Sequence, residues 1–227
     1  MRLSLGVFAL LCAIVLDAQV YQRDATQWFT DTGIIKEIKP ISTVEGDYYL
    51  FDAGQEANVH LTTGRKILGV KINYNIEFSQ LILSHEKKNY GMDLDLIQHI
   101  ELADGSIYHN SSNIENLEPR LLLKRIYDSE NLTFYERKIV KVEEPNYNVA
   151  MNVGSRNTRI TKSTTYLTHT KSNGKFLEFK PSMKGIRSLG YEKEIKSYAK
   201  LNDLSPKNLG DLVEIIKFYD KKKFGEG

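Results

Sequence analysis

Asn58-Val59-His60-Leu61-Thr62-Thr63-Gly64-Arg65-Lys66-Ile67-Leu68-Gly69-Val70-Lys71-Ile72-Asn73-Tyr74 sets the fold class. From Leu68 onward the even positions are apolar and the odd ones are Gly69, Lys71 and Asn73, the period of a half-buried strand. Thr62-Thr63-Gly64-Arg65 supplies a turn with Gly available for positive φ, so the two flanking runs read as a β-hairpin.

Working outward, strand signals dominate residues 48–179. Residues 78–83 form another strand candidate, closed by the charged turn His85-Glu86-Lys87-Lys88-Asn89. Residues 97–102 and 106–109 flank Ala103-Asp104-Gly105, and Asp-Gly is a strong short-hairpin signal. Leu121-Leu122-Leu123 with Ile126-Tyr127 gives the next strand, and residues 132–142 return. Residues 143–162, with Pro145, Gly154 and several Asn, read as a long polar loop of the kind that often carries function. Residues 164–170 and 175–179 make a last hairpin around Ser172-Asn173-Gly174.

After Pro181 the period changes. Ser182 can cap a short helix, and Tyr191, Ile195, Tyr198 and Ala199 share one helical face. Ser205-Pro206 reads as a helix start, followed by the stripe Leu209, Leu212, Val213, Ile216 and Tyr219. The expected fold is α+β: a mainly antiparallel β body (sandwich, roll or partly open barrel) with short C-terminal helices. These helices need a partner surface, from the β body or from another protein.

Residues 1–18 read as a secretory signal peptide, with Arg2 before an apolar run at 5–16 that is too short for a membrane anchor and with Ala18 before Gln19. Cys12, the single cysteine, lies inside it, so the exported chain would carry no thiol and no disulfide. The expected organisation is a signal peptide at 1–18, a lead-in of irregular chain or one edge strand at 19–46, the β domain at 47–180, helices at 181–220 and a basic tail at 221–227. The expected location is exported: periplasmic, outer-membrane-associated or secreted, with no transmembrane segment in the mature chain. With 227 residues, 41% hydrophobic and 26% charged, the composition is that of a globular protein, and a net charge of +2 gives no bias toward nucleic acid.

Several stretches resemble a family of uncharacterised exported proteins of Bacteroidota. They are Leu50-Phe51-Asp52 before the hairpin, the strand ending Asn73-Tyr74-Asn75, and the late helices around Tyr191-Glu192-Lys193-Glu194-Ile195-Lys196 and 209–219. The resemblance implies export and this general architecture, and it brings no assigned catalytic residue.

The sequence lacks Gly-x-Ser-x-Gly, a phosphate-binding Gly-rich loop and His-Glu-x-x-His. No catalytic residue, cofactor or metal site is assigned, and the chain is read as a non-enzyme. Among its five histidines, His99 and His109 are brought together if the Asp104-Gly105 turn forms. Asp93 and Asp95 would then complete a mixed N/O metal site, against the plainer reading of edge histidines and a solvated turn. Tyr48-Tyr49, Phe51, Tyr147, Tyr166 and Phe176 suggest either an aromatic platform for a glycan or peptide, or core residues. Asn110-Ser111-Ser112 and Asn131-Leu132-Thr133 match the glycosylation acceptor pattern. The leading expectation is an exported cell-envelope binding or interaction module whose partner is another envelope protein. Its contacts would be Tyr147, Asn152, Arg156 and Arg159 in the polar loop, with His99 and His109. The competing readings are a barrel-like carrier of a small apolar or lipidic ligand and a metal-dependent hydrolase built around His99, His109, Asp93 and Asp95.

Overall fold

A computed structural model describes residues 36–37, 46–114, 117, 120–144, 146, 151, 153 and 157–225. The signal peptide expected at 1–18 and most of the lead-in lie outside the described residues. Eleven strands are described: β1 (Lys36–Glu37), β2 (Gln55–Leu61), β3 (Lys66–Asn75), β4 (Gln80–His85), β5 (Lys88–Asp93), β6 (Ile97–Leu102), β7 (Ile107–Asn110), β8 (Leu122–Asp128), β9 (Leu132–Glu143), β10 (Arg159–Thr170) and β11 (Lys175–Phe179). They form one sheet in the order β1-β5-β4-β3-β2-β6-β7-β8-β9-β10-β11, with every paired neighbour antiparallel. The helices α1 (Met183–Ile186), α2 (Glu192–Leu201) and α3 (Leu209–Phe224) follow the last strand. The architecture is α+β with an open antiparallel β body.

Two meanders, β2–β5 and β6–β11, meet where β2 pairs with β6. The link between them is short: only Leu94–Leu96, a single 3₁₀ turn, separates β5 from β6. Four residues of chain reach at most about 14 Å. On a flat sheet, β5 and β6 would stand four strand spacings, about 19 Å, apart. The sheet therefore curls, bringing the exit of β5 to the ends of β2 and β7. Thr62 N donates to Leu96 O (3.0 Å). The side-chain amide of the fully buried Asn110 donates to Leu94 O (2.7 Å) and Ile97 O (3.1 Å).

Curling gives the first half a barrel-like interior, filled by Val59, Ile67, Ile72, Leu83, Met92 and Ile100 among others. The same inner face continues along β8–β11, where Leu132, Phe134, Tyr166 and Phe179 carry the helices. Leu212, Ile215, Ile216 and Tyr219 of α3 are all 0% exposed against them, so the helical stripe packs on its own β body.

Several local expectations are corrected. The charged turn expected at residues 85–89 is present but shorter, and it is followed at once by strand β5: Glu86 and Lys87 both take positive φ (48° and 64°) and close a two-residue hairpin without glycine. Strand β10 begins at Arg159, so the polar loop is shorter than residues 143–162, and Arg159 pairs with Glu143 in the ladder. The last helix starts later than Ser205-Pro206. Asn208 caps it, accepting from Asp211 N (3.2 Å), while Asp211 Oδ2 accepts from Ser205 N (3.0 Å). Its end also differs: the helix runs through Lys221-Lys222-Lys223 to Phe224. Lys223 Nζ reaches Tyr219 Oη (2.8 Å) and Thr170 Oγ1 (3.3 Å), so this part of the expected basic tail is helix anchored to β10.

Candidate binding face

Successive side chains on a strand point to opposite faces, so the register fixes which residues share a face. The outer face, opposite the helices, carries one continuous row: Lys66 on β3, His60 on β2, His99 on β6, His109 on β7, Leu123 on β8 and Arg137 on β9. His60 and His99 stack with ring centroids 3.9 Å apart, His99 and His109 lie 6.0 Å apart, and His109 meets Tyr135 edge-on at 6.1 Å. The Asp104-Gly105 turn sets this register. Gly105 takes φ +82° and the Asp104 side chain accepts from Ser106 N (2.8 Å). The pairing of His99 with His109 is thus the one the turn chemistry implies.

The third member of the row is His60, which no spacing rule reveals because it comes from a strand 39 positions earlier in the chain than His99. Its signal lay in the quoted hairpin, but only the β2–β6 pairing places it there. Asp95 goes elsewhere: it binds Arg120 through Nε (3.0 Å) and Nη2 (2.8 Å) and accepts from Ser112 Oγ (3.3 Å). Among the described residues, no three His, Cys, Asp or Glu side chains are grouped to hold a metal ion.

The row sits in a polar frame. Glu101 lies 3.7 Å from His60 Nε2. Asp128 is 2.9 Å from Lys171 and 3.9 Å from Arg125, and accepts from Thr133 Oγ1 (2.7 Å). Burial pushes the His60 imidazole below its ordinary value, as does Lys66, with Glu101 opposing. Burial, His60, Lys66 and Arg125 lower His99 against Glu101. His109 is lowered to about 4 by burial, Arg125 and His99, with Asp128 opposing. Its Nε2 is buried with no hydrogen-bond partner, an unusual state for a polar atom.

The remaining candidates disperse. Tyr147, Asn152 and Arg156 lie outside the described residues, and exposed Arg159 stands on the β9–β10 ribbon, apart from the histidine row. Among the described residues, the aromatic candidates form no single platform. Phe51 packs edge-on against Tyr108 (5.8 Å) and Tyr48 tilts over Phe78 (6.3 Å). Tyr166 belongs to the core under the helices, while Phe176 stacks on His169 (4.4 Å) on the outer face. The Asn110 acceptor pattern is closed by the fold, since Asn110 is fully buried and its side chain also accepts from Ser112 N (2.9 Å). A groove of about 240 Å³ lies between Tyr74, Ser79 and Leu122 on one side and Arg137–Val140 on the other, where β9 runs on beyond its pairing with β8. No protein-family model, curated protein or solved structure matches the chain. Among the described residues, no helix is long and apolar enough to cross a membrane.

Proposed function

We propose that the chain is an exported cell-envelope protein that works as a binding module, meeting its partner, another envelope protein, with the outer face of the sheet. The observation that carries this reading is the histidine row with its frame of Lys66, Glu101 and Arg125. An outer face open to solvent is ordinary for an antiparallel sheet, and here it is closed beyond His109, where Leu123, Tyr135 and Leu167 are buried beside Ile114, Leu117 and Leu121. An in-line row of three imidazoles, two of them stacked, with charges of both signs at its rim is a more specific surface, able to steer and register a partner of complementary charge. Export is supported by the sequence of residues 1–18, which reads as a signal peptide, and the proposed location is accordingly periplasmic, outer-membrane-associated or secreted. The resemblance to exported Bacteroidota proteins supports the same setting.

The interior of the barrel-like half is occupied by its own side chains, with Val59, Leu81, Leu83, Met92, Ile97 and Ile100 all at 0% exposure. A carrier of small apolar ligands therefore draws less support than a surface binder. The test is capture from envelope extract on immobilised protein. A Lys66→Glu/Glu101→Lys variant, which swaps the two rim charges, is expected to lose at least ten-fold in retained partner, since like-charge contacts cost several kcal/mol, about 2 or more, at an interface. Leu201→Asp, at the exposed end of α2, is expected to retain it. Equal capture by both variants, or saturable turnover of glycosides, peptides or esters by the purified protein, contradicts the reading.

A further inference from the structure

We propose that the row His60–His99–His109 is an acid-sensitive latch at the seam between the two meanders, holding β2 against β6 when its imidazoles are neutral and loosening that pairing when they take up protons.

The placement carries the argument. In the sheet, the β2–β6 ladder is where β2–β5 joins β6–β11, and His60 opposes His99 directly across it. Three imidazoles stand in register on adjacent strands, two of them stacked at 3.9 Å. Neutral rings stack favourably there, whereas protonation places like charges face to face.

The surroundings do not absorb those charges. From β3 the row faces Lys66, and from β8 it faces Arg125, both cations. From β6 it faces Glu101, 3.7 Å from His60 and near half-exposed. Asp128 of β8 is already held by Lys171, Arg125 and Thr133. From β9 it faces Tyr135, whose hydroxyl is buried and held above its usual range, and Arg137, which pairs with Glu178 at 3.6 Å. His169 of β10 lies two rows away, stacked on Phe176. Against three new positive charges and the standing Lys66 and Arg125, Glu101 is the carboxylate of this group left to answer. His109 Nε2, buried without a partner, is the atom whose protonation the fold accommodates least.

The sign follows from linkage. A histidine whose folded value lies below its unfolded value binds its proton more readily in the unfolded or opened chain. Its contribution is therefore fully present above the unfolded value and is lost as pH falls toward the folded one. With 6.5 unfolded and about 4 folded, His109 alone raises the unfolding constant about ten-fold between pH 7.5 and pH 5.5. His60 and His99 act in the same direction.

This inference does not depend on the binding reading, and its test uses no partner. Hydrogen exchange of the purified full chain, corrected for intrinsic rates, is compared at pH 7.5 and 5.5. Amides of β2 (Gln55–Leu61) and β6 (Ile97–Leu102) are expected to lose at least ten-fold in protection at pH 5.5. His60→Gln/His99→Gln/His109→Gln is expected to keep its protection at both values, and His85→Gln, at the end of β4, is expected to behave as wild type. Should the triple variant not fold, His109→Gln alone, which removes the ring with the largest shift, is expected to reduce the loss at least three-fold. Equal protection at both pH values in the wild type, or an undiminished loss in His109→Gln, overturns the proposal.

Discussion

A chain ended at Asn208 is expected to lose its cooperative unfolding transition. The truncation removes α3, whose Leu212, Ile215, Ile216 and Tyr219 are wholly buried against Leu132, Phe134, Tyr166 and Phe179. Each such side chain contributes about 1.5–3 kcal/mol by leaving water, and four together approach the about 5–15 kcal/mol that stabilises a whole domain. The strands left behind would present an uncovered apolar face, a route to aggregation. The milder Ile216→Ala is expected to keep the transition and to cost about 2–5 kcal/mol in urea unfolding. A truncated chain that stays soluble and melts at the wild-type midpoint would mean that the helices contribute nothing to the β body.

The second large effect is expected at the contact between Tyr127 and Asp220. Asp220 lies on α3 at 7% exposure, and its Oδ2 accepts from the Tyr127 hydroxyl at 2.9 Å while its Oδ1 is buried without a hydrogen-bond partner. Removing the hydroxyl leaves a buried carboxylate stripped of its donor, so Tyr127→Phe is expected to cost about 2–3 kcal/mol. Asp220→Leu removes the buried charge with its need for a donor and is expected to cost less than Tyr127→Phe. The double variant Tyr127→Phe/Asp220→Leu is then expected to show a coupling of about 1 kcal/mol or more between the two sites. Additive single effects in urea unfolding would show that this bond does not tie α3 to β8.

Much of the β body was legible because its chemistry is local. The alternation in β3, the Gly64 turn and the Asp104-Gly105 turn each signal a hairpin within a dozen residues, and the structure has both hairpins. Strand β5 was not legible, because Glu86 and Lys87 adopt left-handed backbone that glycine or asparagine normally announces. The helix start was misplaced for a related reason: Ser205 and Asn208 both suit a cap, and the choice rests on which side chain reaches a free amide.

The candidate face was only half legible. A turn of known type brings His99 to His109, so two members follow from sequence. His60 requires knowing that the first meander docks on the second through β2, a non-local pairing with no sequence signature. The expected partner Asp95 is lost to the row because Arg120, itself on a left-handed backbone (φ 64°), captures it.

The most direct test of the outer face as the working surface is site-specific photo-crosslinking in the producing cell. A photoreactive residue is placed at Glu101, beside the histidine row, and separately at Leu201, which is 85% exposed at the end of α2. Discrete adducts from position 101, absent from position 201, are expected. Adducts from 201 with none from 101 would contradict the assignment and move the partner to the helical side.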